Sequence, residues 1–194
     1  MHPKAMFLYG TNKEDGSPNF ALFTWITGCF DGEDSIMVCI GEKKLTKDRI
    51  LAEGKFSANL VSEDMIPLAD YFGSNSGYDD SKMNIDVNIG RGKVLDVPVL
   101  TDSPLTYELE VTRHIPLEED SSIFVCKVRN IIKPKKLVIE SESSKVEIDG
   151  IGSLEEHVRL ASPALTVGRE YFTVKPESKG RWAQWKDLKG VKNE

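Results

Sequence analysis

"LTYELEVT" (residues 105–112) alternates without a break, with Leu105, Tyr107, Leu109 and Val111 on one face and Thr106, Glu108, Glu110 and Thr112 on the other. Successive side chains of a strand point to opposite faces, so this period predicts a strand with one buried side. Downstream, after the loop "RHIPLEED", "SIFVCKVRNII" (122–132) reads as a second long strand, and "KLVIE" and "KVEID" as two short ones. Upstream, residues 5–9 (AMFLY), 19–27 and 35–40 (SIMVCI) read as strands, separated by the turn signals "NKEDGSPN" and "DGED". "KFSANLV" adds another, alternating Phe56, Ala58 and Leu60 against Ser57 and Asn59.

Short helices punctuate these strands. "LTKDRILAEG" has Thr46 as its expected N-cap, Asp48 in the first turn and Gly54 at the C-terminal stop. "SEDMIPLADYFG" is expected to begin near Ser62 or Met65, because Pro67 fits a first turn, and to end at Gly73. Residues 74–92 form a long polar loop, a feature usually reserved for function or disorder. Seven or eight strands and two or three helices, without a βαβα rhythm, predict a mostly antiparallel barrel or sandwich.

The chain has 194 residues, enough for one domain with a sizeable core. Its net charge of −6 disfavours nonspecific binding to nucleic acid or an anionic membrane. No apolar run is long enough to span a bilayer and no signal-peptide core follows the first residues, so a cytoplasmic location is expected. Three cysteines without a CxxC argue against a disulfide framework. Cys39 and Cys126 sit in apolar strands and read as buried, leaving Cys29 as the exposed one. His2, His114 and His157 are scattered without a ligand at i+3 or i+4, so no metal site is expected.

Two motifs fail on inspection. "KVEIDGIGSLEEHVRL" imitates a dinucleotide fingerprint, but Glu155 stands where the third glycine belongs and would repel a pyrophosphate; a strand-to-helix turn is the better reading. No GxSxG is present, and Glu118, Glu119 and Asp120 read as a solvated hairpin tip. The stretch 41–59 carries more. A helix N-terminus offers free amides and the positive end of a dipole, and Lys43, Lys44, Lys47 and Arg49 crowd that turn. The cluster suits one phosphate, or is an exposed basic turn.

The order "LYGTNKEDGSPNFALFTWIT", "IMVCIGEKKLTKDRILAEGKFSANLV", "DVPVLTDSPLTYELEV" resembles the flavin reductase-like family with the FMN-binding split-barrel fold, nearest to its flavoredoxin group, over roughly residues 1–133. The resemblance implies a mostly β chain with short helices built on a six-stranded antiparallel Greek-key barrel. It implies a single domain over 1–194 with a C-terminal extension from 175, a homodimer, and noncovalently bound FMN. Electrons would pass from NAD(P)H or a protein donor through FMN to flavin, ferric or protein acceptors; a barrel that binds FMN without turnover is the alternative.

By the same resemblance, flavin contacts fall on Thr24, Trp25, Ile26 and Thr27, on the turn Lys43, Lys44, Leu45 and Thr46, and on Ser57, Ala58 and Asn59. Ser76, Gly77 and Lys82 in the small-residue loop are nominated with them. Two hydroxyls and an indole in "NFALFTWITGCF" (19–30) then have a use: Thr24 and Thr27 offer hydrogen bonds to a ring edge, and Trp25 apolar cover. Flavin carries the electrons itself, so no catalytic acid, base or nucleophile is required of the chain.

Overall fold

The structure, a computed structural model, describes residues 2–32, 34–134, 136–141, 144–149, 153–175, 177 and 179. The expected extension beyond 175, with its two tryptophans, and the turn at Gly150–Gly152 therefore lie almost wholly outside the described residues. The strands run β1 (Lys4–Ala5), β2 (Phe7–Asn12), β3 (Pro18–Phe23), β4 (Ile26–Cys29), β5 (Ser35–Ile40), β6 (Lys55–Leu60), β7 (Ile89–Arg91) and β8 (Pro98–Leu100). They continue as β9 (Thr106–Pro116), β10 (Ser122–Ile132), β11 (Lys136–Ser141), β12 (Ser144–Asp149), β13 (Ala164–Val167) and β14 (Glu170–Thr173). Three helices accompany them: α1 (Leu45–Glu53), α2 (Ile66–Ser74) and α3 (Leu154–Leu160).

The main sheet has seven strands in the order β3-β2-β6-β9-β10-β5-β4, every pair antiparallel. Its two edge strands, β3 and β4, are consecutive in the chain, so the sheet must curl for one to run into the other, giving a half-barrel. The single strand expected over 19–27 breaks at Thr24 and Trp25 for this reason. Before the corner the chain pairs with β2, and after it with β5; the two corner residues belong to neither ladder. A hydrogen bond from the Cys39 amide to the Trp25 carbonyl, 2.9 Å, pins the corner. The main sheet counts seven strands because the one strand expected over 19–27 is divided into β3 and β4.

Alternation sorts side chains into two cores. Tyr9, Phe56, Leu105, Leu109 and Phe124 fill the inside of the curl. Met6, Leu8, Phe20, Met65, Ala69 and Phe72 pack between the outer face of the sheet and α2. Pro67 sits in the first turn of α2 after a 3-10 turn at Glu63–Met65, as its missing amide requires. The polar side of β6 and the start of that of β9 are not solvated. Ser57 donates to the Pro98 carbonyl (2.6 Å), Asn59 accepts from the Leu100 amide (2.9 Å), and all of Ser57, Asn59, Thr106 and Glu108 are buried. They fasten the segment holding β7 and β8 over the sheet.

Other boundaries shift. The first half of the expected loop "RHIPLEED" is strand, since β9 continues to Pro116 opposite Ser122. The polar stretch 74–92 contains a 3-10 turn at Asp80–Met83 and strand β7. The strands at "KLVIE" and "KVEID" pair with each other, and Ser153 caps α3 by accepting from the Glu156 amide. Beyond them, β13 and β14 join β1 in a three-stranded sheet.

Candidate functional site

The corner between β3 and β4 opens onto a groove. A cavity of about 420 Å³ is walled by Thr24, Trp25 and Cys39 on the barrel side, Glu42 and Lys44 above, and Asp70 with Tyr171 opposite. Trp25 keeps 53% of its surface exposed there, with the Lys4 ammonium 5.3 Å from its ring. A second cavity, about 310 Å³, shares Thr24, Trp25 and Cys39 with the first and takes in Ile26, Thr27 and Met37. A third, about 260 Å³, shares Leu22, Phe23, Lys44 and Gly73 with the first and is closed by Lys43–Thr46 and by Ser76, Gly77 and Lys82. Three stretches distant in sequence thus converge on one continuous groove. Its size and apolar walls with a few polar groups are those of a small-molecule site.

The third cavity is built for an anion. Lys82 is 2% exposed and its ammonium has no hydrogen-bond partner; it lies over the Phe72 ring, 5.7 Å from the centroid. A buried unpaired charge is costly, so an ammonium in this state is matched to a group that arrives from outside. Burial, and then the charges of Lys13 and Lys44, push its pKa down to about 8. Lys43 and Lys44 line the same cavity, and no carboxylate does among the described residues. The amides of Leu45, Thr46 and Lys47 precede the first intrahelical hydrogen bond of α1, from Asp48 to the Lys44 carbonyl at 3.1 Å. This donor set fits a phosphate group.

Thr46 does not cap α1. Lys44 occupies the cap position without a side-chain bond, and the Thr46 hydroxyl, buried two residues further in, accepts from Asn19 at 3.0 Å. Gly54 closes the helix in the left-handed conformation expected of it, φ 67°. Lys47 and Arg49 leave the basic cluster: Lys47 is buried and pairs with Asp120, which stays exposed at the hairpin tip, and Arg49 bonds the Asn12 carbonyl and Glu53.

Ser57, Ala58 and Asn59 are not brought to the groove. All three are sealed inside the sheet, and the Asn59 amide bonds Leu8, Ser57, Leu100 and Thr106. Cys39, read as buried, is partly exposed and lines both cavities beside Trp25; it faces outward because Val38 and Ile40 take the core positions of β5. Cys126 is buried, and its thiol is pushed up to about 12 by burial and then by Cys29. Sequence reasoning missed Asn19, Asp70 and Tyr171. The Tyr171 hydroxyl donates to Asp70 at 2.5 Å in the wall of the first cavity, and that carboxylate, ahead of burial, pushes the phenol up to about 12. No local pattern marks a contact between residues 101 positions apart.

Comparison with solved structures defines the class first. The chain superposes on a flavoredoxin from Methanosarcina acetivorans with a TM-score of 0.75 at 19% identity, covering 95% of this chain and 92% of that one. It matches an FMN-binding protein from Thermus thermophilus with bound p-hydroxybenzaldehyde (TM-score 0.72, 21% identity, 93% and 91% covered). It also matches a putative flavin reductase with a split barrel domain from Shewanella frigidimarina (0.74, 14%, 93% and 87%). The fold is therefore the split barrel, mostly β with short helices. A search of curated proteins returned no match. The flavin reductase like domain matches residues 1–143, and the chain belongs to that family.

Proposed function

We propose that the protein is a flavin-dependent oxidoreductase that binds FMN noncovalently in the groove at the β3–β4 corner. The observation that carries this reading is the convergence of residues 24–27, 43–46 and 76–82 on one groove with an unpartnered buried lysine at one end, in a chain of this family. A solved structure of the same fold is an FMN-binding protein, which supports FMN as the flavin.

In this reading Lys43, Lys44, Lys82, Ser76 and the first turn of α1 hold the phosphate, with Gly77 leaving room beside them. Thr24 and Thr27 supply hydrogen bonds to the polar edge of the ring, and Trp25 and Ile26 supply apolar contact. FMN, when bound, supplies the transfer of electrons from NAD(P)H or a protein donor to a flavin, ferric or protein acceptor. The chain's part is to bind, to orient one ring face toward the open side, and to keep that side accessible. Asp70, Tyr171 and Glu42 line the space left for a reactant.

The protein is also proposed to act as a homodimer. Cys39, Ile123 and Ile115 stand side by side on the outer face of β5, β10 and β9, next to the exposed Trp25. This apolar row supports pairing through the face that carries the groove.

The test is direct. The purified full chain is expected to be yellow, or to become so on adding FMN, and to release FMN on heat denaturation at about one per subunit. Steady oxidation of NADH or NADPH with free flavin as acceptor then separates an enzyme from a binder without turnover. Colourless protein that cannot be reconstituted overturns the proposal.

A further inference from the structure

We propose that Lys82 makes the groove's preference for a phosphate monoester proton-linked: the ligand is held against a charged Lys82, so in alkaline solution its capture takes up a proton and its advantage over an unphosphorylated flavin decays. This deepens, and rests on, the reading of the groove as an FMN site.

Geometry comes first. The Lys82 ammonium is enclosed, unpartnered and turned into a cavity that Lys43 and Lys44 also line. The acidic groups around it are engaged elsewhere. On the side of α1, Glu42 pairs with Lys44 at 3.4 Å and Asp48 accepts from Tyr78 at 2.6 Å. Further along that helix Lys47 is held by Asp120, and Arg49 by Glu53. On its own loop Asp79 accepts from the Ser81 amide at 2.9 Å, and Asp80 pairs with Lys13 at 3.5 Å. On α2, Asp70 is bonded by Tyr171, while the Tyr71 hydroxyl donates to the Lys82 carbonyl at 3.1 Å, not to its side chain. No fixed anion neutralises Lys82, so its charge is reserved for one that arrives.

The consequence follows from linkage. With the site empty, burial and the neighbouring Lys13 and Lys44 let Lys82 lose its proton above about pH 8. A phosphate dianion in contact raises that pKa again, by roughly one to three units. Between the two values each pH unit lowers the affinity for the phosphorylated ligand about tenfold, because a proton must be acquired on binding. On the acid side the phosphate loses its second charge below about pH 6. The preference for FMN over riboflavin is therefore flat between about pH 6 and 8 and falls above that range. Riboflavin, lacking the phosphate, follows none of this.

The experiment titrates FMN and riboflavin, by quenching of their fluorescence, into the full chain freed of flavin, from pH 6 to 10. Wild type, Lys82→Gln and Lys82→Arg are compared. For wild type the ratio of the two affinities should fall tenfold or more between pH 8 and 10. Calorimetry at pH 8.5 in buffers of different ionisation enthalpy should record proton uptake with FMN and none with riboflavin. Lys82→Gln should lose about ten- to a hundredfold of the ratio at pH 7 and show no pH dependence between 8 and 10. Lys82→Arg, charged throughout, should restore a flat preference. Unchanged riboflavin binding certifies that each variant is folded. A wild-type ratio that stays constant to pH 10, or a Lys82→Gln variant that keeps both the ratio and its slope, overturns the proposal while leaving FMN binding standing. Failure of wild type to bind either flavin at any pH instead removes the functional reading on which it rests.

Discussion

Glu108 accepts four hydrogen bonds while wholly buried on the outer side of β9: from the amides of Lys93, Val94 and Leu95, at 2.7–2.9 Å, and from the Asn130 side chain at 2.7 Å. Burial alone would raise its pKa, but the bonds from Asn130, Leu95, Val94 and Lys93 together outweigh it and hold the carboxyl below the usual range. A folded-state pKa below the unfolded one means stability that is present above about pH 4.3 and lost as pH falls through the folded value. Glu108→Gln puts an NH₂ in place of a carboxylate oxygen that accepts two of these donors, so we expect a loss of about 2 kcal/mol at pH 7. Urea midpoints at pH 7 and in the acid limb check this: the gap between wild type and variant should shrink as wild type is protonated, and a pH-independent gap would contradict it. The alternation of "LTYELEVT" made the strand legible, and Leu105 and Leu109 are core as read. It did not reveal that Thr106 and Glu108 are also buried, because a polar residue facing water and one facing an overlying loop have the same period.

At the scale of elements, the groove depends on how closely the loop after α2 approaches α1. A methyl group on Gly77 would stand 2.8 Å from the Asn19 side-chain oxygen and 2.9 Å from the Leu45 Cβ, closer than real contacts allow. Gly77→Ala must therefore lift the loop carrying Ser76 and Lys82 away from the first turn of α1. Overpacking of this kind costs about 1–3 kcal/mol, so a melting point lower by several degrees is expected, together with an FMN affinity at least tenfold weaker. Titration of FMN at a temperature where the variant remains folded decides it; unchanged affinity would mean that the loop does not contribute to the phosphate seat. Much of this region was readable locally. The turn 43–46, the start of α2 at Pro67 and the small-residue loop each carry their own chemistry in a few consecutive residues. The strand over 19–27 reads as continuous because Thr and Trp suit a strand, whereas the break at Thr24 and Trp25 is imposed by closure of the sheet between β2 and β5. Thr46 was read as a cap for the same local reason, yet its hydroxyl is claimed by Asn19, 27 residues away.

At the scale of the whole molecule, an apolar surface lies exposed beside the groove. Trp25 and Ile115 are each about half exposed, at 53% and 45%, and flank the partly exposed Cys39 and Ile123 on the convex side of the half-barrel. A contiguous patch of this kind beside the groove is a mark of an interaction surface, and a self-complementary pairing about a twofold axis would cover it in both copies at once. Two half-barrels meeting there would also narrow the open side of each groove, so flavin affinity and assembly should be coupled. Light scattering on the full chain is expected to return twice the chain mass of 21.7 kDa at micromolar concentration. Ile115→Glu introduces a charge at the patch without touching the groove or either core. It should shift the mass toward one chain, leave the melting of isolated subunits cooperative, and weaken FMN binding severalfold through the lost neighbour. A wild-type mass of a single chain would reject the pairing outright. A dimer undisturbed by Ile115→Glu would move the interface to another face, and the proposed coupling between assembly and flavin binding would go with it.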